Sequence, residues 1–359
     1  MNFKLFALLP ALALAGIALF LPSTAPAGEA ALPSGYKVLE PIRHGNLTVF
    51  PVVAARSHDT QEFLTLDEGL RSGEVIVTES GSVQPLIRRR LPPTPSGAQV
   101  NQLVLVNNSK RPLILLAGEI VTGGKQDRVI GKDRIIPAES DPVDLGVFCV
   151  EPGRWTGSSV KFDSRNGAMA QPAVRAKAMA DKDQAQVWSE VGKARESLAL
   201  MVPAPSAAPV RATSSYAGVM QNQEVKQQVD SVAEPIQRNY QSLIRQLRDQ
   251  NAVGVVVAVN GRMVWADIFA STNLLEKYWP KLVRSYAAEA VVTRTKDRSA
   301  DIGQAQDFLN HMDGRHETVD SEPGLYRQTE IAGDGFRAFE LTSLLPKTGF
   351  DLHVAKMAE

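Results

Sequence analysis

Glu119, Lys125, Gln126, Arg128, Glu151, Arg154 and Trp155 all fall in one stretch, Leu113 to Trp155, where they are interleaved with apolar, β-branched runs. Lys125, Arg128 and Arg154 are hydrogen-bond donors that suit an anion, and a guanidinium can hold phosphate or carboxylate through two parallel bonds. Glu119 and Glu151 are the candidate catalytic pair. They would accept sugar hydroxyls, or work as acid and base if burial raises one carboxyl. Trp155 offers a flat face to a base or a sugar. Lys125, Gln126, Arg128, Arg154 and Trp155 therefore form the expected ligand-binding set. The bland alternative is an internal salt-bridge network that ties adjacent turns together.

Other chemistries are poorly served. His44, His58, His311, His316 and His353 are scattered, with no short metal-ligand spacing, so neither a metal nor a cofactor is expected. No Gly-x-Ser-x-Gly frame exists for a nucleophilic hydrolase. Gly123-Gly124-Lys125 lacks the earlier glycine and the following Ser/Thr of a phosphate loop. Cys149 is the single cysteine. It sits in the apolar run Val147 to Val150, which reads as a buried strand residue without a disulfide partner.

Rigid elements must hold these groups in place. Leu113–Leu116, Glu119–Thr122, Arg128–Ile130, Arg134–Ile136 and Val143–Val150 read as short strands, separated by Gly118, Gly123-Gly124, Gly131 and Pro142. Upstream, Tyr36–Leu39, Leu47–Val53, Val75–Thr78 and Leu103–Val106 add strands, Phe63–Leu70 a short helix, and Leu91–Gly97 a Pro-rich connector. Helical periodicity follows over Gln184–Leu200 and along the stripe from Val225 to Leu247, where Pro235 should kink or split the helix. Between them, Pro203–Ala217 has the composition of a flexible loop. Val253–Val259 and Arg262–Phe269 form a hairpin about Asn260-Gly261. A helix over Asn273–Val291 carries Lys277, Lys281 and Arg284 on its polar face. Ile302–His311 is a further helix, and Glu317–Val354 reads as two or three strands. The pattern predicts an α+β fold, with mostly antiparallel β-sandwich or jelly-roll-like sheets and helices packed alongside.

Residues 1–27 read as a signal peptide: Lys4, then apolar Leu5–Leu21, then the small-x-small site Ala25-Pro26-Ala27. Retention as a membrane anchor is the alternative. The mature chain, 28–359, is expected to be a single domain, exported to the periplasm or the medium. The whole chain has 39 basic and 39 acidic residues, which gives no long-range field to attract nucleic acid or an anionic membrane. Arg88-Arg89-Arg90 reads as a solvated loop.

The segments GEIVTGGKQDRVI and CVEPGRW resemble the central signature of the ARG-and-rhodanese-phosphatase-superfamily-associated domain family, in which ARG stands for ADP-ribosylglycohydrolase. LDEGLRSGEVIVTE and VVVAVNGRMVWADIF…LLEKYWPKLVRSYA resemble its flanking segments, so the likeness covers most of the mature chain. The matching positions are Glu119, Gly124, Lys125, Gln126, Arg128, Cys149, Glu151, Gly153, Arg154 and Trp155. Later ones are Asp267, Trp279, Lys281, Arg284, Ser285 and Tyr286. Ile120 stands where the family often has a second glutamate, Gly124 replaces its usual alanine, and Asp127 replaces asparagine. The resemblance implies a role near NAD-derived or ADP-ribosyl compounds.

The leading expectation is therefore an exported protein that binds a small anionic, nucleotide-like ligand. The alternatives are an enzyme that uses Glu119 or Glu151 on such a ligand, and a non-catalytic periplasmic scaffold.

Overall fold

A computed structural model describes residues 35–82, 97–246, 250–293 and 298–359. The expected leader, the Arg88–Arg90 cluster and nearly all of the Leu91–Gly97 connector lie outside the described residues. The chain opens with β1 (Tyr36–Val38), β2 (Ile42–His44) and β3 (Leu47–Ala54). Then come β4 (Leu64–Thr65), α1 (Leu66–Ser72), β5 (Val75–Glu79) and β6 (Gln102–Asn107). The signature region supplies β7 (Leu113–Leu115), β8 (Glu119–Thr122), β9 (Arg128–Ile130), β10 (Arg134–Ile136) and β11 (Val143–Cys149). β12 (Asp163–Met169) leads into α2 (Pro172–Ala176), which continues as one π-helical turn, Lys177–Asp181.

Four helices follow: α3 (Gln184–Met201), α4 (Ala204–Ala212), α5 (Tyr216–Gln221) and α6 (Gln223–Gln246). The hairpin β13 (Asn251–Val259) and β14 (Arg262–Phe269) precedes α7 (Thr272–Val292) and α8 (Ile302–Asn310). The chain closes with β15 (Gly314–Glu322), β16 (Tyr326–Gly333), β17 (Phe336–Ser343) and β18 (Asp351–Ala358).

The fold is α+β. One nine-stranded antiparallel sheet runs β1-β3-β13-β14-β18-β17-β16-β15, with β2 also paired to β3. A six-stranded sheet runs β12-β8-β9-β11-β6-β5, and β10-β7-β4 form a third, small sheet. Both faces of the large sheet are apolar. Val49, Val255, Val257, Trp265 and Phe339 pack in one core with α6 and α7, and Phe50, Val256, Ile268 and Ala338 pack in another with α8.

Local chemistry accounts for the elements that frame the site. Thr65 and Glu68 form a reciprocal capping box at the start of α1, and Gly73 closes that helix at φ 74°. Asn260 and Gly261 take φ 51° and 73°, the left-handed pair that a type I′ hairpin requires.

Three expectations need correction. Residues 203–217 are not a loop: they form α4 and the start of α5, with Ala207, Val210, Tyr216 and Ala217 buried. Pro205 lies in the first turn of α4, where its missing N–H costs no helical bond. Of the two outcomes expected at Pro235, a kink or a split, the split is overturned: α6 continues across it. The buried stripe Val225, Val229, Ile236 and Tyr240 belongs to the main core, and that packing outweighs the single lost backbone bond. The C-terminal tail contains four strands, not two or three.

A fully buried ionic cluster ties these layers together. Arg175, from α2, donates to both carboxylate oxygens of Asp267 on β14, at 2.9 and 3.0 Å. Tyr286 of α7 donates to the same carboxylate. His353 of β18 bridges Asp267, at 3.0 Å, and Asp133, at 2.6 Å. Asp133 in turn accepts the Ala117 N–H, 2.7 Å away, beside the signature. Gly118, at φ 96°, packs so closely on Arg175 that a Cβ there would sit 2.5 Å from its side chain.

Candidate functional site

The signature turns bring six of the expected residues together. Both terminal nitrogens of Arg154 are bonded to its own loop and to the β8–β9 turn. Arg154 donates to Glu151 at 2.6 Å, to the carbonyls of Gly123, Gly124 and Thr156, and to the Ser158 hydroxyl. That bond to Glu151 raises the guanidinium above its ordinary value, against its partial burial. Glu151 also accepts the Asp127 N–H at 3.0 Å. Asp127 is held by the Ser215 hydroxyl at 2.7 Å, and its burial raises its carboxyl. Gln126 donates to the Glu151 carbonyl.

Arg128 is wholly buried and donates to the Val100 carbonyl at 2.8 Å. Its second terminal nitrogen has no hydrogen-bond partner among the described residues, and neither has the Gln126 side-chain oxygen. Trp155 is 43% exposed, with the Lys125 ammonium 5.0 Å above its ring. Cys149 is a buried strand residue whose thiol is raised by burial. Gly124 sits at φ 49°, and a Cβ on it would lie 2.2 Å from the Phe162 ring.

Glu119 belongs elsewhere. It is 1% exposed, accepts the Leu116 N–H at 2.7 Å, and faces Lys281 of α7 at 2.5 Å. Burial raises its carboxyl, and the Lys281 charge opposes that rise. Lys281 also donates to Asp67 of α1 at 2.6 Å. Burial would lower the lysine, but Glu119 and Asp67 together hold it above its usual value. The two candidate catalytic carboxylates thus sit in separate networks.

Lys281 opens onto a cleft of about 970 Å³, which α1, β8, β12 and helices α5 to α7 enclose. Five cations line it: Arg71, Lys226, Lys277, Lys281 and Arg284. Three carboxylates, Asp67, Glu68 and Asp163, line it too. Lys277 pairs with Glu68 at 3.0 Å. Burial opposes ionisation of Glu68, but the Thr65 N–H and Lys277 hold its carboxyl below the ordinary value. Lys226 and Arg284 share Asp230, at 2.8 and 2.5 Å. Arg71 is exposed at the rim, with no ion-pair partner among the described residues. Met169, Ile120, Met220 and Val229 supply apolar wall. Gly167, at φ 78°, lets β12 lie against Asp67, because a Cβ there would meet its carboxylate at 2.8 Å.

A model of the ARG and Rhodanese-Phosphatase-superfamily-associated Protein domain matches residues 35–355. The chain belongs to that family. No curated protein and no solved structure matches it.

The family domain therefore includes both the signature turns and the cleft. The basic stripe Lys277, Lys281 and Arg284 was visible in the sequence at helical spacing. What spacing could not show is that α1 and α6 bring Asp67, Arg71 and Lys226 opposite it. Among the described residues, no group of three or more His, Cys, Asp or Glu side chains is arranged to hold a metal ion.

Proposed function

We propose that this family member binds a small anionic, hydroxyl-bearing ligand in the cleft between α1 and the α6–α7 pair. The observation that carries this reading is the convergence of five cations on one concavity, where Arg71 is left without an ion-pair partner among the described residues while the other four are paired within the protein. Arg71 and Lys226 at the rim would meet the ligand's charge, while Asp67 and Glu68 would accept hydroxyl donors. ADP-ribose has this chemistry, with two phosphates and two riboses, and is the specific ligand to try first. Its connection to ADP-ribosylglycohydrolases, carried by the family's description, supports that choice.

Binding is favoured over turnover because Glu119 and Glu151 are both occupied by cations of the protein itself. The signature turns, with both terminal nitrogens of Arg154 bonded within the protein, serve in this reading to brace the wall beside β12. Export remains part of the proposal, on the strength of the apolar leader and its Ala25-Pro26-Ala27 site. Sequencing of the secreted protein should then begin at Gly28.

A thermal-shift series with inorganic phosphate, ribose 5-phosphate and ADP-ribose tests the binding claim. A ligand at about 100 times its dissociation constant adds roughly 2.7 kcal/mol to the native state. Stabilisation that grows along the series supports the cleft. No stabilisation by any of the three would favour a scaffold role.

A further inference from the structure

Lys281, Asp67 and Glu119 form an arrangement at the wall of the cleft that ligand binding does not explain. Nζ of Lys281 lies 2.6 Å from Oδ2 of Asp67 and 2.5 Å from Oε1 of Glu119. The three come from α7, α1 and β8, and Asp67 and Lys281 are 214 positions apart in sequence. Each side chain is fixed. The other carboxylate oxygen of Glu119 accepts the Leu116 N–H at 2.7 Å, which turns the first toward the lysine. β12 packs against the Asp67 carboxylate at Gly167. The buried Tyr278 ring lies 4.5 Å from the ammonium.

Two carboxylates thus converge on one ammonium where water is nearly absent. Glu119 and Lys281 are 1% and 4% exposed, whereas the Asp67 side chain keeps 15% of its surface open. Burial raises the Glu119 carboxyl, which makes it the member of the trio that takes up a proton. A lysine that gives up that proton is a free amine and a nucleophile. With its nitrogen 2.6 Å from a carboxylate oxygen, the carboxyl carbon is about one bond further away, roughly the 3–3.5 Å from which a bond can form.

We infer that Lys281 and Asp67 join in an internal amide bond, with Glu119 as the acid and base of the step. Lys281 passes a proton to Glu119, and its nitrogen lone pair attacks Cγ of Asp67. Glu119 gives that proton to an Asp67 oxygen and takes a second from the nitrogen. It delivers the second to the same oxygen, and the Cγ–O bond breaks. One ammonium and one carboxylate become one amide and one water, Glu119 ends as it began, and nothing is oxidised or reduced. The water leaves past the open edge of Asp67 into the cleft. Glu119 and Asp67 hold Lys281 above its usual value, so the free amine is scarce and the bond forms slowly, once per chain, after folding. The bond ties α1 to α7 in a chain whose single cysteine is free, and closing so long a loop restricts the unfolded chain as a disulfide does. The amide keeps a carbonyl oxygen that can accept a ligand hydroxyl, so the inference does not rest on the proposed binding.

Tryptic digestion of the native protein tests it without any ligand. Cleavage should release a branched peptide that joins Ser57–Arg71 to Tyr278–Arg284 and is lighter than the two together by one water. Fragmentation should place the link between Asp67 and Lys281. Lys281→Arg, which keeps the charge but cannot lose its proton, should give no branched peptide. Followed from the time of synthesis, folded Glu119→Gln should form the link about a hundredfold more slowly. Unlinked peptides from the native protein would overturn the inference, as would a link to Glu119 in place of Asp67, or an undiminished rate in Glu119→Gln.

Discussion

Arg175 and Asp267 meet as a bidentate pair from which solvent is wholly excluded. They join α2 to β14, and through His353 and Tyr286 to β18 and α7. Removing one partner of such a pair strands the other charge in a medium that cannot solvate it. Arg175→Met should therefore cost about 3–5 kcal/mol, by urea unfolding. A loss below about 1 kcal/mol would mean that His353 and Tyr286 suffice to hold Asp267.

The same cluster sets a pH dependence. Burial disfavours the His353 cation, but Asp133 and Asp267 override it and raise the imidazole from 6.5 to about 9. A raised folded-state value means that the stabilisation is complete below about pH 6.5 and lost as pH rises through about 9. The window is worth something of order 3 kcal/mol. Melting temperatures between about pH 6 and pH 10 should fall for the native sequence and fall less for His353→Gln. Parallel curves would refute a charged His353.

Gly124 tests the local geometry of the signature. Alanine there would need a left-handed backbone and would press its Cβ into the Phe162 ring. Gly124→Ala alone should destabilise by more than about 1 kcal/mol. Adding Phe162→Leu should recover part of that loss, leaving the backbone share. Additivity in the double-mutant cycle would contradict direct contact.

Arg154 is a brace, with a side chain 24% exposed. Arg154→Ala removes bonds to three carbonyls and two side chains. It should lower stability by about 1–3 kcal/mol. Arg154→Lys cannot reproduce the planar fork and should recover only part of this. Full recovery by lysine would reduce the role of Arg154 to that of a point charge.

Much of this architecture was legible in the sequence. Glycines at 118, 123, 124 and 131 punctuate β8 to β10, so those short strands could be placed from their breaks. Asn260-Gly261 marked the hairpin for the same reason. β12 escaped because DSRNGAM shows no apolar alternation, and its pairing with β8 is irregular. Residues 203–217 misled because alanine, proline and serine suit both linkers and helix starts. Ser215, in fact, caps α5 and also bonds Asp127, 88 residues away in sequence. The site was only half readable. Leu113 to Trp155 folds into five successive strands, so Glu119 and Glu151, near in sequence, face different neighbours. The partner of Glu119 is Lys281 of α7, which it shares with Asp67 of α1, and no local pattern could reveal that.

The most direct measurement is calorimetric titration of ADP-ribose into the native protein, the Arg71→Ala/Lys226→Ala double variant and Arg154→Ala. Both rim residues are exposed, so the double variant should melt close to the native protein. It should bind about tenfold more weakly or worse, a loss of roughly 1.4 kcal/mol or more, while Arg154→Ala should keep native affinity if folded. Native affinity in the rim variant, with binding lost in a folded Arg154→Ala, would contradict the cleft and return the ligand to the signature turns.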